Sequence, residues 1–234
     1  MPNNENSGIL IYAQLTREEY IHTVFFELVD KAKELAQKLG GTEVKAVLIS
    51  RPHLIDTFKE SFQNMGLSKV YYFESEELKE YSTEYHSKLI VDLVQNIKPE
   101  ILLIGATNQG RDLAPRVASA LGTGLTADCT GLDINEKGQL AATRPTFGGQ
   151  LMATILCKNY PQMATVRPNV FKVNSVSDKA NTEFIPCPAN IIGMKKHVQL
   201  LSFQRTVENV INDLDSAEII VAGGKGLKNS KGFE

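Results

Sequence analysis

A doubly wound α/β fold with a mostly parallel sheet is predicted by three features of the chain. Ile101-Leu102-Leu103-Ile104 is an unbroken apolar run that ends in Gly105, the pattern of a strand covered on both faces. From Gly8 to Gly105, short runs of this kind alternate with amphipathic stretches, giving a βαβαβαβ series. Such a series requires right-handed crossovers, and those require parallel strands.

Gly8 to Ala13 reads as the first strand. Arg17 to Leu39 follows as a helix, with Ile21, Val24, Phe25, Leu28, Ala32, Leu35, Ala36 and Leu39 on one face and Gly40-Gly41 as its stop. Val44 to Ser50 is the second strand, Leu54 to Met65 a helix and Lys69 to Phe73 the third strand. A helix over Thr83 to Ile97 and a strand over Glu100 to Gly105 complete the series. In the next helix Pro115 is expected near the start, where its missing N–H costs nothing, and Gly122 marks the end.

Beyond Gly122 the segments shorten to Leu125–Ile134, Gln139–Thr143, Leu151–Cys157 and Gln162–Val166, separated by Gly, Asn and Pro. They read as strands that extend or flank the sheet, partly antiparallel. Asn174 to Ile192 is polar, carries Pro186 and Pro188 and has no sustained period, so an irregular surface segment is expected there. Val198 to Leu214 reads as a further strand and short helix, and Ala217 to Ala222 as the strand that opens a second domain.

The chain has 234 residues, 42% of them hydrophobic, a formal net charge of −2 and a pI near 6.1. That is enough apolar content for a sizeable core, and there is no basic footprint for nucleic acid. No run of apolar residues is long enough to span a bilayer. Met1 to Gly8 lacks the basic and apolar regions of a signal peptide, so a cytoplasmic location is expected. Cys129, Cys157 and Cys187 have no CxxC spacing, and His22, His53, His86 and His197 are scattered. Neither zinc binding nor triad chemistry has a foothold in that pattern.

Four ordered blocks go further. After the loop Gly105-Ala106-Thr107-Asn108-Gln109-Gly110-Arg111 come Gly124-Leu125-Thr126-Ala127-Asp128-Cys129-Thr130-Gly131-Leu132 and Arg144-Pro145-Thr146-Phe147-Gly148-Gly149-Gln150. Met163-Ala164-Thr165-Val166-Arg167-Pro168-Asn169-Val170-Phe171 and Val221-Ala222-Gly223-Gly224-Lys225-Gly226-Leu227 complete the set. In this order and spacing, from about Ile9 to Glu234, the chain resembles the α subunit of electron transfer flavoproteins. The resemblance implies an adenine-nucleotide-binding-like first domain, a heterodimer with a β subunit, and FAD as electron carrier. It also implies electron passage from an acyl-CoA dehydrogenase type of flavoenzyme to a quinone, NAD or ferredoxin-linked acceptor. In the flavin-bifurcating branch a second FAD sits in the β subunit, where other members carry AMP.

In that family the α subunit continues past the GGRG-type turn into a domain that holds the electron-carrying FAD. Here residues 1–214 are expected to form the α/β subunit-association domain and 215–234 only the start of the FAD-binding domain, too little to bury a core. The partial FAD site is Gly223, Gly224, Lys225 and Gly226, where the glycines admit close backbone approach and the cation faces a phosphate or reduced flavin. Lys225 stands where the family has Arg, keeping the charge and losing the bidentate fork. Asn108, Arg111, Arg144, Phe147, Gly148, Gly149 and Arg167 are candidates for subunit contact or a second nucleotide.

No side chain is nominated as acid, base or nucleophile, because electron transfer needs a positioned cofactor and no bond-making residue. Two other readings stand beside the redox one. The chain is a nucleotide-binding module working through the Thr107 to Arg111 loop, although that loop lacks the GxxxxGK[ST] cradle. Or it is a non-redox scaffold for a β subunit.

Overall fold

A computed structural model describes residues 7–173, 180–204 and 219–233. It divides into two compact units, residues 1–198 and 199–234. The first holds strands β1 (Ile9–Ala13), β2 (Val44–Ser50), β3 (Lys69–Glu74), β4 (Ile101–Gly105), β5 (Leu125–Cys129), β6 (Gly131–Ile134), β7 (Leu140–Thr146), β8 (Leu151–Leu156), β9 (Gln162–Val166) and β10 (Glu183–Cys187). Its helices are α1 (Thr23–Lys38), α2 (Ile55–Asn64), α3 (Thr83–Ile97) and α4 (Asn108–Leu121).

Seven strands form one parallel sheet in the order β10-β3-β2-β1-β4-β9-β5. The chain winds outward from β1 to β3, crosses back and continues on the other side from β4, so its direction reverses between β1 and β4. Every residue of β1 and of β4 is buried. Alternation sends Ile9 and Ile11 with Leu103 toward Phe25, Leu28, Leu35 and Phe62 of α1 and α2. Leu10, Leu102 and Ile104 face Leu89, Ile90, Leu113 and Val117 of α3 and α4. Each such side chain contributes about 1.5–3 kcal/mol on burial, more than the few tenths by which helix propensities differ, so packing decides where the helices lie.

Several boundaries differ from expectation. Helix α1 starts at Thr23 rather than Arg17, because Leu15 bridges Ile21 across a turn in which Glu19 has φ 62°, and His22 then caps the helix by accepting from Val24 N at 3.2 Å. Pro115 falls inside α4, on its exposed side, where water can reach the carbonyl that loses its partner. The stretch Leu125–Ile134 is two strands: β5 joins the parallel sheet, while β6, β7 and β8 form a separate antiparallel sheet. Within the segment expected to be irregular, Glu183–Cys187 is instead a strand, β10, added parallel to β3. Polarity hid it, because an edge strand has only one neighbour to satisfy and tolerates Pro186.

In the second unit, residues 219–222 form no strand, for a strand needs a hydrogen-bonded neighbour, and Ile219 and Val221 are exposed. Val198 to Gln204 has no regular structure. The expected helix before Leu214 and the domain boundary at 214 lie outside the described residues. No described helix is long and apolar enough to cross a membrane.

One buried base makes stability depend on pH. His86 on α3 lies edge-on to Tyr81 and Tyr12, with Nδ1 3.0 Å from Ser82 O, and burial lowers its pKa from 6.5 to about 4. The folded protein keeps it neutral while the unfolded chain takes up a proton, so stability is lost as pH falls from 6.5 toward 4. Urea denaturation should show a loss of roughly 3 kcal/mol across that window, and His86→Leu should remove most of the slope.

Candidate functional site at the Arg-lined groove

The carboxyl ends of β1 and β4 form the crevice in which open α/β sheets hold their ligands. Here several side chains at the crevice are bonded to one another. Thr107 Oγ1 donates to Gln14 Oε1 at 2.6 Å, and Gln109 Nε2 donates to Tyr12 Oη at 2.8 Å. Thr107 also caps α4, its Oγ1 accepting from Gly110 N at 3.0 Å. The turn is so close that a Cβ on Gly110 would stand 1.8 Å from Gly105 O. Asn108 is exposed at the first position of α4.

Arg111 reaches back past the start of the helix. Its Nε donates to Ala106 O at 2.9 Å and its Nη2 to Asp128 Oδ1 at 2.9 Å. Asp128 accepts from the other side as well, from Arg167 Nη2 at 2.6 Å and Arg167 Nε at 3.3 Å. The Arg167 hydrogen bond first, and then the charges of Arg111 and Arg144, hold the Asp128 carboxyl below the usual carboxylate range against the opposing pull of burial. Asp128 has φ 61°, a conformation that Asp tolerates better than most residues, and its N–H donates to Thr165 Oγ1 at 2.9 Å.

Two arginines from separate blocks, Arg111 and Arg167, therefore meet on one carboxylate, and the charge of Arg144 acts on it without a direct contact. Beside them runs an open groove of about 700 Å³, lined by Arg144, Pro145, Thr146, Phe147, Gly148, Gly149 and Arg167. Arg144 Nε is buried and has no hydrogen-bond partner among the described residues. A buried guanidinium N–H is costly to leave unmatched. Phe147, Gly148 and Gly149 form the tip of the β7–β8 hairpin, with φ of 68° and 89° at the glycines, a turn that side chains with a Cβ resist. Phe147 is 79% exposed.

Strand β8 is an edge of its sheet and apolar on both faces. Leu151 and Ile155 point one way, Met152 and Leu156 the other, and all four are exposed. Cys129, next to the groove, is buried with its thiol pushed up to about 12, which suits a packing role. Gly223 to Gly226 belong to the second unit, where Gly224 leads into a one-turn 3-10 helix over Lys225–Leu227 and Lys225 is exposed.

Residues 9–190 match the family model of the electron transfer flavoprotein domain. The chain belongs to the electron transfer flavoprotein family. It is 43% identical over 231 residues to the electron transfer flavoprotein subunit alpha of Thermoanaerobacterium thermosaccharolyticum, covering 98% of this chain and 68% of that protein. Against the α subunit of Clostridium acetobutylicum it is 42% identical, covering 100% of this chain and 69% of the relative. It is also 37% identical to the LctC subunit of the lactate dehydrogenase (NAD(+),ferredoxin) of Acetobacterium woodii, covering 97% of this chain and 53% of that one. The chain thus spans about two thirds of the length of the first two relatives.

Two residues were not singled out from the sequence: Asp128, and Glu27, which accepts from the backbone N–H groups of Asn169, Val170 and Phe171 just after Arg167. Asp128 lies within a quoted block, and its signal was three arginines with no assigned counter-charge. Glu27 is an acid on the apolar face of α1, between positions that pack into the core.

Two substitutions test this geometry. Gly110→Ala forces the α4 N-terminus off β4 and should destabilise by about 3 kcal/mol, read by thermal or urea unfolding. Asp128→Asn keeps the backbone tolerance and removes the counter-charge. Its folded pKa being lowered, the stabilisation is present above about pH 4 and lost as pH falls through the folded value, so a deficit of about 1 kcal/mol should persist from pH 8 to 5 and shrink only below that.

Proposed function

We propose that this chain is the α subunit of a heterodimeric electron transfer flavoprotein, and that its first unit docks on a β subunit through the β7–β8 hairpin and the arginine groove. The carrying observation is strand β8, a sheet edge whose apolar side chains are exposed on both faces. A soluble domain guards such an edge with charge, Pro or a covering element, and a partner is the covering element that fits. The Tyr12, Gln14, Thr107 and Gln109 contacts support this reading over a nucleotide module working through the 107–111 loop, since Thr107, Gln109 and the Gly110 N–H are already engaged.

FAD, when bound, supplies the reversible one- and two-electron chemistry. Gly223, Gly224, Lys225 and Gly226 offer it an open backbone edge and one cation, and among the described residues they have no enclosing walls. They are one edge of a flavin site and no more, and no step is assigned to them. The groove fits a nucleotide of the β subunit better. Phe147 and the glycine backbone offer a flat approach, and Arg144 and Arg167 positive charge that favours an anionic group. The donor is read as an acyl-CoA dehydrogenase type of flavoenzyme. For the acceptor, the relative named for NAD+ and ferredoxin supports an NAD or ferredoxin-linked route.

Co-purification with the β subunit tests this. A one-to-one heterodimer carrying flavin is expected; a chain that elutes alone beside a folded β subunit overturns the reading. Ile155→Glu would bury a charge at the contact and should weaken association at least a hundredfold by calorimetry, while the chain's own melting temperature stays within a few degrees.

A further inference from the structure

Glu27 is a carboxylate only 3% exposed, on the apolar face of α1, and no cation pairs with it in any described contact. Its two oxygens are instead filled by three consecutive backbone N–H groups from a loop more than a hundred residues away. Asn169 N donates to Oε1 at 2.9 Å, and Val170 N and Phe171 N donate to Oε2 at 3.0 and 3.1 Å. Successive amides turned onto one point form a nest of the kind that binds anions, and here the anion is supplied by the protein. Asn169 reaches this geometry with φ 62° directly after Pro168.

The loop captured this way begins with Arg167. Arg167 N donates to Cys129 O at 3.0 Å, its guanidinium goes to Asp128, and the next amides go to Glu27. Two carboxylates thus hold one short segment from opposite ends, one by the side chain and one by the backbone.

We propose that Glu27 is a positioning residue for the arginine groove: by clamping the amides of 169–171 it holds Arg167 against Asp128 and so sets the charge presented to the β subunit. The docking role rests on the groove reading given above; the clamp itself does not. Removing Glu27 frees three donors at once, and hydrogen bonds to a charged acceptor are the strong kind. Gln in its place keeps one acceptor and turns an amide NH2 toward donors it cannot satisfy.

The test is hydrogen exchange on the whole chain together with β-subunit affinity. In Glu27→Ala the amides of 169–171 should lose protection, and β-subunit affinity should fall about tenfold or more. Acetate fits the vacated space and should restore both, whereas acetamide, without the charge, should restore neither. Glu27→Gln gives the same reading should Glu27→Ala not fold, and combined with Arg167→Ala it should cost no more affinity than Arg167→Ala alone. Full protection of 169–171 in the Gln variant, or equal rescue by acetamide, overturns the clamp. If Arg167→Ala binds the β subunit like the wild type, the groove reading fails and the docking role of Glu27 falls with it, while the exchange data still decide the clamp.

Discussion

Strands β1 and β4 lie side by side with every residue of both out of water, and the reversal of winding direction takes place between them. Burial on both faces leaves their backbone groups no solvent partner, so the parallel ladders on either side must be complete. This demand fixes which helices lie on which face and brings the carboxyl ends of β4, β5 and β9 to one end of the sheet. Arg111 at the start of α4, Asp128 in β5 and Arg167 after β9 meet there for that reason.

The same demand explains the closed crevice. A ligand at the switch point would need room between the β4 end and α4, yet Gly105 and Gly110 bring those two backbones into contact, and Gln14 and Gln109 are engaged with Thr107 and Tyr12. The fold class allows a nucleotide there; the side chains of this chain use the space for packing. What the centre gives up, the periphery offers: the groove carries the charge of Arg144 and Arg167, and the hairpin the uncovered apolar edge.

Charge in the groove is controlled by two carboxylates of different character. Asp128 is partly exposed and paired with two arginines, so its share is modest and sensitive to salt. Glu27 is buried and satisfied by amides, which leaves its charge shielded from ions and its geometry tied to α1. The hairpin is the opposite case: its apolar residues lose stability for the isolated chain while they stay wet and return it when a partner covers them.

Strong periodicity and apolar runs made the first four strands and α2 and α3 readable almost to the residue, because hydrophobic pattern and backbone geometry agree there. The antiparallel sheet was legible as strands, and their partners were not, since period alone does not say which edge a strand joins. Strand β10 and the true start of α1 were missed where a single edge pairing and a His22 cap outweighed composition. The residue types of the site, arginines and paired glycines in ordered blocks, were visible in the chain, as was the family they indicate. That Arg111 and Arg167 meet on Asp128, and that Glu27 holds the loop after Arg167, came only with the fold: those contacts join residues far apart in sequence, and the long-range packing of a sheet, which no local pattern encodes, is what brings them within hydrogen-bond reach.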